Sequence, residues 1–201
     1  MYYQNPFGSW AEAGQGQSSG TLWNSSPPPS VFGALPYPSA PSNTVTYYFT
    51  SFRPNIFNCS VVGPQNQVYY QIVTDNTMPG YTVIKNMEGK NISLIEWQAH
   101  PFVEIRGTLA KQNVMNWLRL SPDQSHRNMD IRGMRYVWAP REKSINLYTG
   151  GNGAPPTFLA KVTRSGTQTV TVDMTPDAIQ LGLLDSIITA TALLLCGRNI
   201  D

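Results

Sequence analysis

The stretch Leu183–Ile200, LLDSIITATALLLCGRNI, decides how the rest of the chain is read. From Ile187 to Cys196 its residues are apolar or small on every side of a helical projection. A helix apolar all round is buried all round, in lipid or in protein. Its start and stop are marked in the sequence. Thr175 can cap, Pro176 suits the first helical position, and Asp177 stands at the positive dipole end. Gly197 fits a left-handed C-terminal cap, and Arg198 complements the negative end. A membrane span needs about 20 apolar residues, and the unbroken run here is about half that. Extending it backwards meets Asp185, Gly182 and Gln180. An Asp near mid-span costs about 2.5–3.5 kcal/mol on insertion. A helix of about 11 residues reaches only ~16 Å, the scale of a small domain's core. The expectation is a core helix; a tail anchor, or a buried final strand through Ser186–Ala192, are the alternatives.

The wall around such a helix is written upstream. TVTYYFTSF, FNCSVVG, QVYYQIVTD, YTVIKNM, ISLIEWQAH and FVEIRGTL follow one another from Thr44 to Leu109. RYVWAP, SINLYTG, TFLAKVTR and QTVTVDMT come later. Each is short, rich in Val, Ile, Thr and Tyr, and bounded by Pro, Gly or Asn, as strands are. KQNVMNWLRLS, from Lys111 to Ser121, reads as a short helix or another strand, because Val114, Trp117 and Leu118 fit helical spacing over one turn only. The expected fold is mainly β: a closed antiparallel barrel of about twelve strands around the terminal helix. A barrel of that width is too wide for its own side chains to fill, and the helix would occupy the space.

Composition agrees. Charged residues make up 13% of the 201-residue chain, and ten tyrosines lead an aromatic content of 11%. The formal charge of +2 is too small to point to nucleic acid. Cys59 and Cys196 make no disulfide framework, and the start MYYQNPFGSW lacks the basic and apolar regions of a signal peptide. The expected location is therefore cytoplasmic, with peripheral membrane association, and the sequons at Asn24, Asn58 and Asn91 are expected to stay unused. Residues 1–43 contain one charged side chain, Glu12, and seven of the sixteen prolines. They are expected to form a disordered Pro/Gly/Ser-rich tail, with residues 44–201 as the domain. Within the tail, NPF (Asn5–Phe7) and PSAP (Pro38–Pro41) resemble short peptides taken by endocytic and ESCRT-I trafficking adaptors.

EWQAHPFVEIRG (Glu96–Gly107), NWLRL (Asn116–Leu120), GMRYVWAP (Gly133–Pro140), INLYTG, FLAKVTR and an apolar helix after DMTP together resemble a fungal domain family of unknown function. That family is expected to share the tubby C-terminal-like barrel of tubby proteins, LURP-one-related proteins and phospholipid scramblases. The resemblance spans Thr44–Asn199 and implies contact with phosphoinositide headgroups or membrane surfaces. The basic motif of tubby proteins has no residue-by-residue match here. Asp173, Asp177 and Asp185 are too scattered for the oxygen cage that Ca²⁺ needs.

The densest polar run is HRNMDIRGMRYVWAPREK, His126–Lys143. Its Arg127, Arg132, Arg135, Arg141 and Lys143 are the candidate lipid-binding residues, with Tyr136 or Trp138 nearby, because basic side chains meet phosphates and each adds about 1 kcal/mol at an anionic surface. Side chains alternate along a strand, so the five cannot all share one patch. Glu96, His100 and Glu104 lack a metal-ligand spacing, and Pro101 interrupts them. Trp97, Trp117 and Trp138 read as core aromatics, Cys59 and Cys196 as small core residues. There is no nucleophile elbow or phosphate loop, and GGNG at Gly150–Gly153 lacks the Lys and helix such a loop needs. The function expected is a non-enzymatic domain with no cofactor that associates with anionic lipid, its tail recruiting trafficking adaptors; the alternative is a protein-interaction scaffold without lipid affinity.

Overall fold

The computed structural model describes residues 31–33, 37–150, 155–166 and 169–201. Thirteen strands form one sheet, in the order β7-β6-β5-β4-β3-β2-β1-β13-β12-β11-β10-β9-β8. They are β1 Val45–Thr50, β2 Cys59–Val62, β3 Val68–Thr74, β4 Tyr81–Asn86, β5 Asn91–Glu96, β6 Phe102–Ile105, β7 Leu109–Asn113, β8 Leu118–Leu120, β9 Arg127–Ile131, β10 Met134–Arg141, β11 Ser144–Thr149, β12 Phe158–Ser165 and β13 Thr169–Met174. Three helices complete the fold: α1 Val114–Trp117, α2 Pro176–Gln180 and α3 Leu184–Leu194.

Period-two patterning sets which face turns inward. On β1 and β13 the pairs Tyr47↔Val172 and Phe49↔Val170 are buried apolar pairs. Next to the first pair, Thr46 stands opposite Asp173 on the other face and donates a 2.7 Å hydrogen bond to its carboxylate. The inward rows of the strands and α3 belong to one core that includes Phe49, Ile72, Ile95, Trp117, Trp138 and Val172.

Nine consecutive residues of α3, Ser186–Leu194, are buried, so the helix turns no face to solvent. Two of its three buried hydroxyls are satisfied locally, while Ser186 Oγ has no hydrogen-bond partner among the described residues. Thr189 and Thr191 donate to the carbonyls of Asp185 and Ile187 at 2.7 and 2.8 Å, and Thr189 Oγ1 also lies 2.7 Å from Ser93 Oγ. Tyr70 donates to Asp185 at 2.5 Å where the helix begins. No helix among the described residues is long and apolar enough to cross a membrane.

The cap expected at Thr175 is present: its side chain accepts from the Ala178 amide, with Pro176 at the start of the helix. The single helix expected beyond it is not. Gly182 adopts φ +67° and splits the segment into α2 and α3. That left-handed turn is open to glycine at little cost, and it redirects the chain from the rim into the interior. Gly197, at φ +69°, ends the segment as expected. Arg198 does something else, stacking its guanidinium 4.7 and 4.6 Å from the Phe57 and Trp97 ring centres.

The closed barrel expected from the sequence needs correction. Every neighbouring pair in the sheet is antiparallel, so the two edge strands of a thirteen-stranded order, β7 and β8, run in the same direction. Parallel neighbours need a crossover of about a dozen residues or more. Only the four residues of α1 lie between β7 and β8, and the strand pairings leave both as edges. The sheet nonetheless curls back on itself, because α1 ties one edge to the other. A second link crosses the seam at the β9–β10 end, where Arg132 donates to Thr108 Oγ1, in the β6–β7 loop, at 3.3 Å. Buried Val114 and Trp117 of α1 fill the gap that hydrogen bonds leave open.

Replacing Ile188 by Ala at the centre of α3 should destabilise the domain by about 2–5 kcal/mol in equilibrium denaturation, since the cavity has no solvent-facing side through which to collapse.

Candidate functional site

The five candidate residues fall at three places. Arg127 faces inward, fully buried. Its guanidinium donates to both carboxylate oxygens of Asp201 at 2.7 Å and to the Leu118 carbonyl at 2.8 Å. This is a bidentate ion pair, and Arg127 belongs to the core and not to a lipid-facing patch. His100 adds to the same corner, its Nδ1 lying 3.1 Å from the Asp201 backbone carbonyl. Residues 196–201 thus fold across one end of the sheet, which we term the lower end.

Arg132 and Arg135 stand at the opposite, upper end. Arg132 and Gly133 form the two-residue loop between β9 and β10, both with positive φ, +50° and +78°. That is the backbone of the hairpin turn whose twist matches the flanking strands. Arg135 lies opposite Asp130 on the outer face, its Nε 3.4 Å from the carboxylate. Arg119 reaches the same carboxylate at 3.4 Å, so one acid is shared by two cations. Among the described residues Arg132 has no carboxylate partner; its guanidinium lies between Thr108 and Gly182.

Arg141 and Lys143 sit at the lower end, a β10 strand of about 8 residues or ~27 Å away. The hairpin loop there is Glu142–Lys143, with Glu142 at φ +42°. Arg141 covers the Tyr37 ring at 4.0 Å. Arg141, Lys143 and Lys161 border a shallow hollow with Ser144 and Thr163.

What sequence reading missed at the upper end is its apolar content. Met134 is 50% exposed, Leu181 47% and Met87 69%, with Ile179 and Val68 also exposed. Met134 follows the Arg132–Gly133 loop directly, and Leu181 precedes the Gly182 against which Arg132 rests. Arg106 is exposed on the neighbouring β6–β7 loop. The signal available was "RGM" in a hairpin tip and "IQLG" between two helices: apolar residues placed where turns require exposure.

The other residues singled out from sequence have structural surroundings. Glu96 pairs with Lys111 and accepts from Gln98; these bonds, led by that from Lys111, hold its carboxyl below the usual range. Glu104 is exposed on the adjacent strand and His100 lies with Asp201, so the three do not converge. No three His, Cys, Asp or Glu side chains among the described residues stand together as a metal-ligand set. Trp117 and Trp138 are core residues, and Trp97 donates its indole N–H to Thr82 at 2.8 Å. Burial pushes the Cys59 thiol up to about 12 and the Cys196 thiol up to about 11, which keeps both protonated at neutral pH.

The fold and this rim define an all-β domain: a curled antiparallel sheet around a buried helix, with a basic and apolar upper end. The chain belongs to the family of unknown function DUF6593, whose profile matches residues 54–197. A solved structure of a protein from Arabidopsis thaliana is similar over 74% of this chain and 91% of its own, at 13% identity and a TM-score of 0.40. No curated protein matches.

Asp201→Ala should cost about 2–3 kcal/mol of stability, less than the ~3–5 of a fully enclosed pair because the Asp side chain is 32% exposed. Denaturant titration measures it, and Arg119→Ala, on an exposed pair, should change stability by less than about 1 kcal/mol. An aromatic disulfide reagent at pH 8 should leave Cys59 unmodified until the domain unfolds.

Proposed function

We propose that this domain is a non-enzymatic module that docks on anionic membrane surfaces through its upper end. The observation that carries this reading is the placement of Arg132. It has no carboxylate partner among the described residues, and exposed Met134 and Leu181 flank its loop and its contact. A phosphate headgroup would complete the guanidinium, and the apolar side chains would enter the interface beside it. Arg106 and Arg135 extend the basic rim, Arg135 more weakly because Asp130 already pairs with it. Arg127 has no part in this contact; Arg141 and Lys143, at the other end, could engage the same planar surface only after reorientation of the whole domain. In this reading the protein is intracellular and associates peripherally. The helix held within a curled antiparallel sheet supports the finer reading of the domain as tubby-like. PSAP (Pro38–Pro41), exposed from Ser39 onward, is open to a trafficking adaptor; NPF lies outside the described residues.

Co-sedimentation of the full chain with phosphatidylserine- or phosphoinositide-containing vesicles tests the proposal. Binding should weaken as salt rises, since surface charge is screened within about 10 Å at 0.1 M. Arg132→Ala should cost about 1 kcal/mol, roughly five-fold in partitioning, and Met134→Ser together with Leu181→Ser should weaken binding further at all salt concentrations. Pelleting that is absent, or indifferent to these changes, would leave the scaffold reading in its place.

A further inference from the structure

Side chains on the outer face of a curled sheet ordinarily meet water. Tyr148 and Phe158 point outward, away from the row that holds Ile145, Leu147 and Leu159, yet they are only 1% and 4% exposed. Ala139 beside them is also fully buried. Their cover is a segment from upstream of the domain: Val31, Phe32 and Tyr37 pack on them as a small cluster separate from the main core. The contact is built of rings. Phe32 meets Tyr148 edge-on at 5.3 Å, Tyr37 lies 5.5 Å from the same ring, and Phe158 backs Tyr148 at 5.8 Å. Edge-on geometry sets the positive edge of one ring on the negative face of another and so selects aromatic partners over aliphatic ones. Arg141 closes the lower side with its guanidinium 4.0 Å from the Tyr37 ring centre. The segment is braced within itself, the Val31 amide donating to the Tyr37 hydroxyl at 3.2 Å. Asn146 donates to the Tyr148 hydroxyl at 3.0 Å and orients the receiving ring.

The connector from this segment to β1 is exposed from Ser39 to Asn43 and carries Pro38 and Pro41. The segment therefore reaches its seat as a peptide on a tether, and its sequence, VFGALPYP, has the proline-flanked aromatics of a linear recognition element. We propose that the outer face of β10–β12, with Ala139, Arg141, Tyr148 and Phe158 as its contact residues, is a receptor site for proline-flanked peptides bearing two aromatics five residues apart, and that Val31, Phe32 and Tyr37 are the contact residues of its built-in cis ligand. Tethering gives the cis ligand an effective concentration of order millimolar, so it screens the site from weak competitors and yields to a partner with stronger aromatic or anionic contacts at the Arg141–Lys161 side.

The test uses the full chain and no membrane, so it is independent of the lipid reading. Phe32→Ala with Tyr37→Ala vacates the site. A fluorescent peptide spanning residues 28–43 should bind this double variant saturably in anisotropy titrations and bind the unaltered chain at least ten-fold more weakly. Adding Arg141→Gln, a change at the rim that leaves the core untouched, should weaken peptide binding about five-fold, and adding Tyr148→Ala should abolish it. Circular dichroism melts establish that each variant is folded. The proposal is overturned if the vacated chain fails to bind the peptide, if a peptide with both aromatics replaced by Ala binds as well, or if the unaltered chain binds as tightly as the vacated one. A dimer of the unaltered chain that the double variant dissolves would overturn the cis assignment in favour of segment exchange between two copies.

Discussion

The helix Leu184–Leu194 carries apolar side chains on all sides, and each fully buried Leu or Ile among them contributes about 1.5–3 kcal/mol relative to exposure. That gain requires a wall on every side. One sheet surface would leave half of the helix in water, so the sheet must curl until its edges meet. The inner rows of the strands supply the wall, and the three polar positions on the buried stretch remain compatible with it because two of them, Thr189 and Thr191, bond back to the preceding turn.

An odd strand number then shapes the ends. With thirteen strands, each antiparallel to its neighbours, the edges β7 and β8 are parallel, and a connection as short as α1 forbids their pairing. The seam is packed with side chains instead, and Arg132 bridges it at the upper end. The lower end is plugged by residues 196–201 through Arg198 on two rings and Asp201 on Arg127. One end is thus closed by a charged latch and its own chain, while the other presents loops, α2 and exposed apolar side chains. The proposed membrane-facing direction of the domain rests on this asymmetry.

Much of this was legible in the chain. The terminal helix, its Thr175 cap, its Gly197 stop and ten strand segments follow from period, capping and β-branched composition. The strands β7, β8 and β9 were not: Lys111–Ser121 reads as one short helix or one strand but holds the end of β7, α1 and β8, while polar Arg, Asn and Asp interrupt β9. Arg127 was misplaced for a related reason. As part of a basic run it resembles its neighbours, yet it shares strand parity with buried Met129 and Ile131 and so points inward. That parity was in the sequence, but reading it required knowing that a strand begins at Arg127. The break at Gly182 was likewise hidden, since a lone glycine inside an apolar helical pattern is compatible with continuation.

What the residues alone determined is therefore local or compositional: which segments alternate, which helix has no polar face, and that a β-rich wall must surround it. These follow from side-chain periodicity and from the free energy of removing apolar surface from water, both of which act over a few residues or on the whole chain at once. Tertiary structure decided the strand count and its parity, the open seam, the partner of Arg127, and the cover of Tyr148 by a segment 111 to 117 positions upstream. Those depend on which distant groups meet, and that is set by how thirteen strands share one circumference around a helix.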